Sequence, residues 1–280
     1  MSDKDNPSDY QACSSAEQFE LLLAAPDRND DDSWDVIHLL QNRAEREILD
    51  RSLEVLSHSD PAKRALGADL LAQFGNPERA FPEQSLSALR RLLATEREPG
   101  VLDCAATAFV HNNDPEAVPL LLALRKHAWP IVRLAVVQAL GSQDETPEVV
   151  AALAELCRDP APDVRDWATF ALGSLMEVDT PEVREVLLAR AEDTDSETRG
   201  EALVGLADRG DQRVLEYVID ALEDEEVGTL AVEAAWKLGM AGYADSELWS
   251  ALVDLTSWWD VDVDLLTRAT KSCEPGAGEQ

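Results

Sequence analysis

The sequence predicts an all-α protein, an α-solenoid of about seven antiparallel helix pairs, on three observations. First, the chain repeats itself. Leu70-Leu-Ala-Gln-Phe-Gly75, Ala105-Ala-Thr-Ala-Phe-Val110, Val136-Val-Gln-Ala-Leu-Gly141, Ala168-Thr-Phe-Ala-Leu-Gly173, Ala202-Leu-Val-Gly-Leu-Ala207 and Ala234-Ala-Trp-Lys-Leu-Gly239 stack with last-residue spacings of 35, 31, 32, 34 and 32. Second, apolar positions recur three and four apart, with no alternating run long enough to argue for strands. Third, several copies are preceded by a segment opening on proline and Glu: Pro115-Glu-Ala-Val-Pro-Leu-Leu-Leu, Pro147-Glu-Val-Val-Ala-Ala-Leu and Pro181-Glu-Val-Arg-Glu-Val-Leu-Leu. Proline lacks the amide hydrogen that a first helical turn leaves unpaired, and Glu complements the positive end of the helix dipole. Each unit therefore reads as a helical hairpin.

The elements follow in chain order. Residues 1–14 are expected to be disordered. Residues 15–42 form an N-terminal helical cap: a short helix over Ala16–Ala25, an acidic linker over Pro26–Asp32, and Ser33 as the N-cap of the next helix. Residues 43–273 hold the repeats, with Thr146 and Thr180 placed as N-caps. A last pair, Glu247–Thr256 and Val263–Ser272, closes the stack, and 274–280 form a disordered tail.

In a solenoid each repeat position becomes a column, so the second helices can be read by distance before the residues at 75, 110, 141, 173, 207 and 239. One before stand Phe74, Phe109, Leu140, Leu172, Leu206 and Leu238; five before, Leu70, Ala105, Val136, Ala168, Ala202 and Ala234; nine before, Leu66, Val101, Val132, Val164, Thr198 and Leu230. At 100° per residue these columns fall within about 80° of one another and form the buried stripe. The columns three and seven before the anchor lie opposite. They hold Ala72, Thr107, Gln138, Phe170, Val204 and Trp236, and Ala68, Asp103, Leu134, Asp166, Gly200 and Val232.

Paired helices of about 32 residues, the second opening as Asp163-Val-Arg-Asp-Trp-Ala-Thr-Phe-Ala-Leu-Gly173, resemble HEAT repeats of the short bacterial type also found in bilin-lyase-like proteins. The Val-Arg pair stands at Val132-Arg133 and Val164-Arg165 and survives as Thr198-Arg199, whereas Leu66-Gly67, Val101-Leu102 and Leu230-Ala231 depart from it. The resemblance covers roughly residues 43–260. It implies that the second helices line a concave side. There Leu134, Phe170, Val204, Val232 and Trp236 occupy columns expected to be wet, with Gln138 among them and Asp166, Glu201 and Glu233 alongside. Apolar residues rimmed by acids are the pattern of a partner groove, and these nine residues are the predicted partner-binding strip. Arg133, Arg165 and Arg199 fall on the flank, where an arginine can lay its stem on apolar surface and pair with an acid of the neighbouring repeat.

Charge narrows the partner. Against 24 Lys and Arg stand 56 Asp and Glu, a formal charge of −32, with a pI near 4.2. Such a surface repels phosphate backbones and anionic lipids and attracts basic proteins, so direct nucleic-acid and membrane binding are not expected. No apolar run of eighteen residues exists, and the opening decapeptide carries Asp3, Asp5 and Asp9, which reads as a cytoplasmic protein.

No catalytic, cofactor or metal set is found. The four cysteines form no Cys-x-x-Cys pair; Cys104 and Cys157 are expected as buried thiols. The four histidines are separated, and the His-Glu pairs of HEAT-like iron hydroxylases are missing. Ser57-His58-Ser59-Asp60 reads as a helix end followed by the next cap. Asp260-Val-Asp-Val-Asp264 starts like a calcium loop but continues with Leu265 and Lys271 where Gly and Glu belong. Trp258 and Trp259 are assigned to packing or binding. The expected function is a noncatalytic protein-binding scaffold or adaptor, with an inhibitor or immunity-type protein for a basic partner as its specific form. The alternative implied by the resemblance is a bilin-lyase-like chromophore attachment factor or another HEAT-fold enzyme.

Overall fold

The computed structural model describes residues 13–24, 31–224, 227–243, 245–255 and 262–275, and among these the chain is helical throughout. The expectations for residues 1–12, 25–30, Trp258, Trp259, Asp260 and 276–280 lie outside the described residues. Two compact units divide the chain, Met1–Asp144 and Glu145–Gln280. The N-terminal unit contains α1 (Ser15–Ala24), α2 (Asp31–Arg43), α3 (Arg46–Val55), α4 (Pro61–Ala72), α5 (Pro82–Thr95), α6 (Pro99–Thr107), α7 (Val118–Leu124) and α8 (Pro130–Gly141). The C-terminal unit contains α9 (Pro147–Leu156), α10 (Pro162–Phe170), α11 (Pro181–Arg190), α12 (Ser196–Asp208), α13 (Leu215–Leu222), α14 (Thr229–Met240), α15 (Ser246–Leu255) and α16 (Val263–Ser272).

In the N-terminal unit the odd-numbered helices pack on one another in one layer and the even-numbered in a second, and in the C-terminal unit α10, α12, α14 and α16 pack in one layer with α13 on α15 in the other, as stacked hairpins must. The helices α1 and α2 pack against α3 and α4 in the same two layers, so the segment ahead of residue 43 adds a pair of its own to the array. The buried stripe is where the column arithmetic put it. Its members are sealed from water in every copy except at Leu230, which is half-buried.

Capping chemistry starts the helices. The Thr146 and Thr180 hydroxyls accept from the amides of Val149 and Val183, both at 3.3 Å, and Asp60, Asp195 and Asp262 do the same for α4, α12 and α16. Removing such a cap costs about 1 kcal/mol. Asp60 serves as the cap expected of the Ser57–Asp60 run, and its own amide donates to His58 Nδ1 at 2.9 Å. Two expected starts move. The helix predicted to open at Pro115 begins at Val118, because Pro119 has no amide hydrogen for an interior turn and is accommodated only in the first turn. The next departure is at α2, which begins at Asp31, so Ser33 sits inside the first turn and is not the N-cap.

One contact recurs through both units. The fourth residue of α4, α8, α10 and α12 is an arginine whose Nη1 donates to the carbonyl oxygen six residues earlier: Arg64 to His58 at 2.9 Å, Arg133 to His127 at 2.8 Å, Arg165 to Asp159 at 3.0 Å and Arg199 to Asp193 at 2.8 Å. Arg64 belongs to this column although anchoring on Gly75 had placed Leu66-Gly67 there; helix α4 is in another register. Two of these arginines also pair with an acid of the next repeat, as expected of the flank: Arg64 with Glu96 and Arg165 with Asp193, each at 2.7 Å. Burial pushes the Glu96 carboxyl up, but bonds from Arg64 and from the amides of Glu98 and Arg97 prevail and hold it at about 2.

Candidate functional site

The predicted strip runs over second helices of both units. Leu134 and Gln138 lie on α8 of the N-terminal unit and are half-buried. The other seven residues lie in the C-terminal unit on α10, α12 and α14, which pack side by side.

Glycines set how closely these helices approach. After α10 the chain makes one wide turn over Ala171–Leu175, closed by the Met176 amide donating five residues back to Ala171 O at 3.1 Å. Such π turns often accompany functional sites. Gly173 in that turn meets Gly205 of α12 backbone to backbone: a Cβ on Gly205 would stand 2.6 Å from the Gly173 Cα, closer than real atoms allow. On the other side of α12, Leu230 of α14 lies across Gly200, 2.6 Å from where its Cβ would be.

That tight packing corrects the strip at two positions. Val204 is 3% exposed and Val232 is 0% exposed, so neither can touch a partner; both belong to the core of the unit. The column was expected to be wet because it faces away from the buried stripe of an isolated helix. Helices drawn together by Gly173, Gly200 and Gly205 cover it. Asp166, Phe170, Glu201, Glu233 and Trp236 remain partly open.

What survives is an acidic face with aromatic members. Asp166 and Phe170 are four apart on α10, hence on one side of it, and Glu233 and Trp236 are three apart on α14. Trp167, 38% exposed, meets Phe170 edge to face, with ring centroids 5.6 Å apart and planes at 84°. Trp167 is absent from the predicted strip; its place three residues before Phe170 was the available signal. At the α14 end the Arg268 guanidinium of α16 lies over the Trp236 ring, 4.9 Å from its centroid.

Two carboxylates of this face, Asp166 and Glu201, are destabilised as anions. Burial, then repulsion from Asp195, Glu197 and Asp163, raises the Asp166 carboxyl to about 6. Its Oδ1 is shut off from water and has no hydrogen-bond partner. Burial also raises Glu201, to about 7, followed by repulsion from Asp166 and Glu233, and only a long 3.5 Å contact from Ser174 Oγ opposes this. The charged groups that act most strongly on the pair are themselves acids.

Cys104, Cys157 and Cys273 are buried thiols, and burial raises Cys157 to about 12, well away from a reactive thiolate. Among the described residues no three His, Cys, Asp or Glu side chains are gathered as a metal ion would need. Among the same residues no helix is long and apolar enough to cross a membrane.

Comparison with known proteins agrees with this architecture. The family model described as HEAT repeats matches residues 88–173 and 150–239. Protein YibA of Escherichia coli strain K12 is 26% identical over 236 residues, covering 82% of this chain and 83% of YibA. The X-ray structure of E. coli YibA superposes with a TM-score of 0.77 at 23% identity, over 98% of this chain and 97% of that one. An engineered protein known from its crystal structure follows with a TM-score of 0.51 at 18% identity, over 91% of this chain and 76% of that one. Repeating hairpins, a shared arginine column and a family match over more than half of its length make this chain a member of the HEAT-repeat family.

Proposed function

We propose that this chain is a noncatalytic protein-binding scaffold that holds a partner with a basic surface on the acidic and aromatic face of α10, α12 and α14. The observation that carries the reading is the pair Asp166 and Glu201, two carboxylates raised by burial and by neighbouring acids on adjacent helices, with the half-buried Phe170 one turn beyond Asp166 on α10 and the half-buried Trp236 on α14. A cationic group placed there relieves repulsion already present in the free protein, and the rings supply apolar contact area. The formal charge of −32 adds a long-range field that speeds the approach of a basic protein. Stacked repeats suit this role because they offer an extended surface on a rigid frame. An inhibitor or immunity-type protein that masks a basic partner is the specific form of the proposal.

The test is affinity capture with the intact chain and Phe170→Asp in parallel. A basic protein retained by the intact chain, lost in the variant, and captured more slowly as salt rises is the expected result. Equal capture by both forms would refute the assignment of this face.

A further inference from the structure

The face described above also indicates which basic group it takes, because the chain supplies an example. At its α14 end the molecule's own Arg268 stacks on the Trp236 ring at 4.9 Å, three residues along the helix from Glu233. A guanidinium thus rests on an aromatic plane on the same helical face as a carboxylate, the arrangement that cation–π attraction and ion pairing favour together.

The α10–α12 end repeats these ingredients without the arginine. Asp166 immediately precedes Trp167, whose ring meets Phe170 edge to face, and Glu201 of α12 stands close enough to Asp166 to feel its charge. Asp166 Oδ1 is buried without a hydrogen-bond partner, and the charged groups around the pair, Asp163, Asp195, Glu197 and Glu233, are all acids. The nearby arginines are turned to the other flank: Arg165 and Arg190 bind the Asp193 carboxylate, and Arg199 binds the Asp193 carbonyl. Lysine is the poorer fit. Its ammonium is strongly hydrated and a half-buried face strips that water, whereas a guanidinium is weakly hydrated, planar and able to bond two carboxylates while lying on a ring.

We propose that the Asp166–Glu201 face of α10 and α12 seats an arginine side chain of a basic partner segment, its guanidinium shared by the two carboxylates and lying against the Trp167–Phe170 rings as Arg268 lies against Trp236. This rests on the reading of the face as a protein-binding surface and names the side chain that it selects.

The experiment uses the full chain and fluorescence anisotropy with a short synthetic peptide of repeated Gly-Ser-Arg, its lysine counterpart, and its citrulline counterpart, which keeps the shape of arginine without the charge. The arginine peptide should bind about tenfold more tightly than the lysine peptide, and the citrulline peptide far more weakly than either. Asp166→Asn and Glu201→Gln, which keep side-chain size and remove repulsion, should each weaken the arginine peptide about tenfold with cooperative thermal unfolding retained. Equal affinity for the arginine and lysine peptides, or undiminished binding in both variants, would overturn the proposal. So would displacement of the peptide by calcium at constant ionic strength, which would assign the carboxylates to an ion. If the peptide arms fail while Phe170→Asp still abolishes capture of a basic protein, the arginine seat falls and the binding face stands. If Phe170→Asp leaves capture intact, the face itself falls.

Discussion

Arg165 and Asp166 are neighbours in sequence, yet they open onto two acidic regions with opposite electrostatics. On the flank, Asp193 is gripped by Arg165 through both carboxylate oxygens, at 2.7 and 3.0 Å, and by Arg190 at 2.7 Å, so its carboxyl is lowered, Arg165 being the main cause. On the proposed binding face, one step of 100° around the same helix, Asp166 is raised by burial and by the acids Asp195, Glu197 and Asp163. Charge that is neutralised internally ties one repeat to the next. Charge left uncompensated beside aromatic rings is what the proposed function assigns to a partner. In a chain with this excess of acid, net charge alone does not separate the two uses; the distribution of the arginines does.

Breaking the flank should have the largest effect. Arg165→Ala leaves Asp193 buried with half of its cationic partners and removes the bond to the Asp159 carbonyl. We expect a loss of about 3 kcal/mol in urea unfolding, the scale for breaking one side of a buried pair. Arg165→Lys should recover only part of it, because lysine cannot bind both carboxylate oxygens and the carbonyl together.

Phe170→Ala tests the opposite region. It should cost about 2 kcal/mol of partner binding in titration calorimetry while thermal unfolding stays cooperative, the behaviour of an interface anchor. Loss of cooperativity would place Phe170 in the core with Val204 and Val232, and the contrast between flank and face would weaken.

The raised carboxyls predict how pH acts on each region. A cationic partner favours the charged forms, so its affinity should increase as pH rises through about 6 to 7 and level off above, releasing protons on binding. For the free protein the sign is reversed. A carboxyl whose folded value is raised takes up protons on folding, so its contribution to stability falls as pH rises from the unfolded value near 4.5 to about 7. Glu201→Gln should therefore raise the melting temperature by about 2 °C at pH 8 and by nothing measurable near pH 4, a modest figure because Glu201 is partly screened by solvent. A slower association rate in high salt, with little change in dissociation, is the smallest effect expected and reports the general field in place of the seat.

Much of this architecture was legible in the residues. The buried columns, the caps at Thr146 and Thr180 and the thiols at Cys104 and Cys157 follow from helical period, from hydroxyls that satisfy free amides, and from the burial of small apolar groups. Of the predicted strip, Leu134, Gln138, Asp166, Phe170, Glu201, Glu233 and Trp236 are partly exposed, whereas Val204 and Val232 are buried. Arg64 was missed because a column count assumes equal registers, and α4 does not share the register of α8.

The sequence by itself determined the helices, most of their ends and the stripe of each that is buried in its own hairpin, since these depend on residues within about one turn of each other along the chain. Only the tertiary structure decided which acids meet an arginine and which meet another acid. That choice depends on the residue standing opposite in the next repeat and on a helix separation set by Gly173, Gly200 and Gly205, and neither quantity is written in any single repeat.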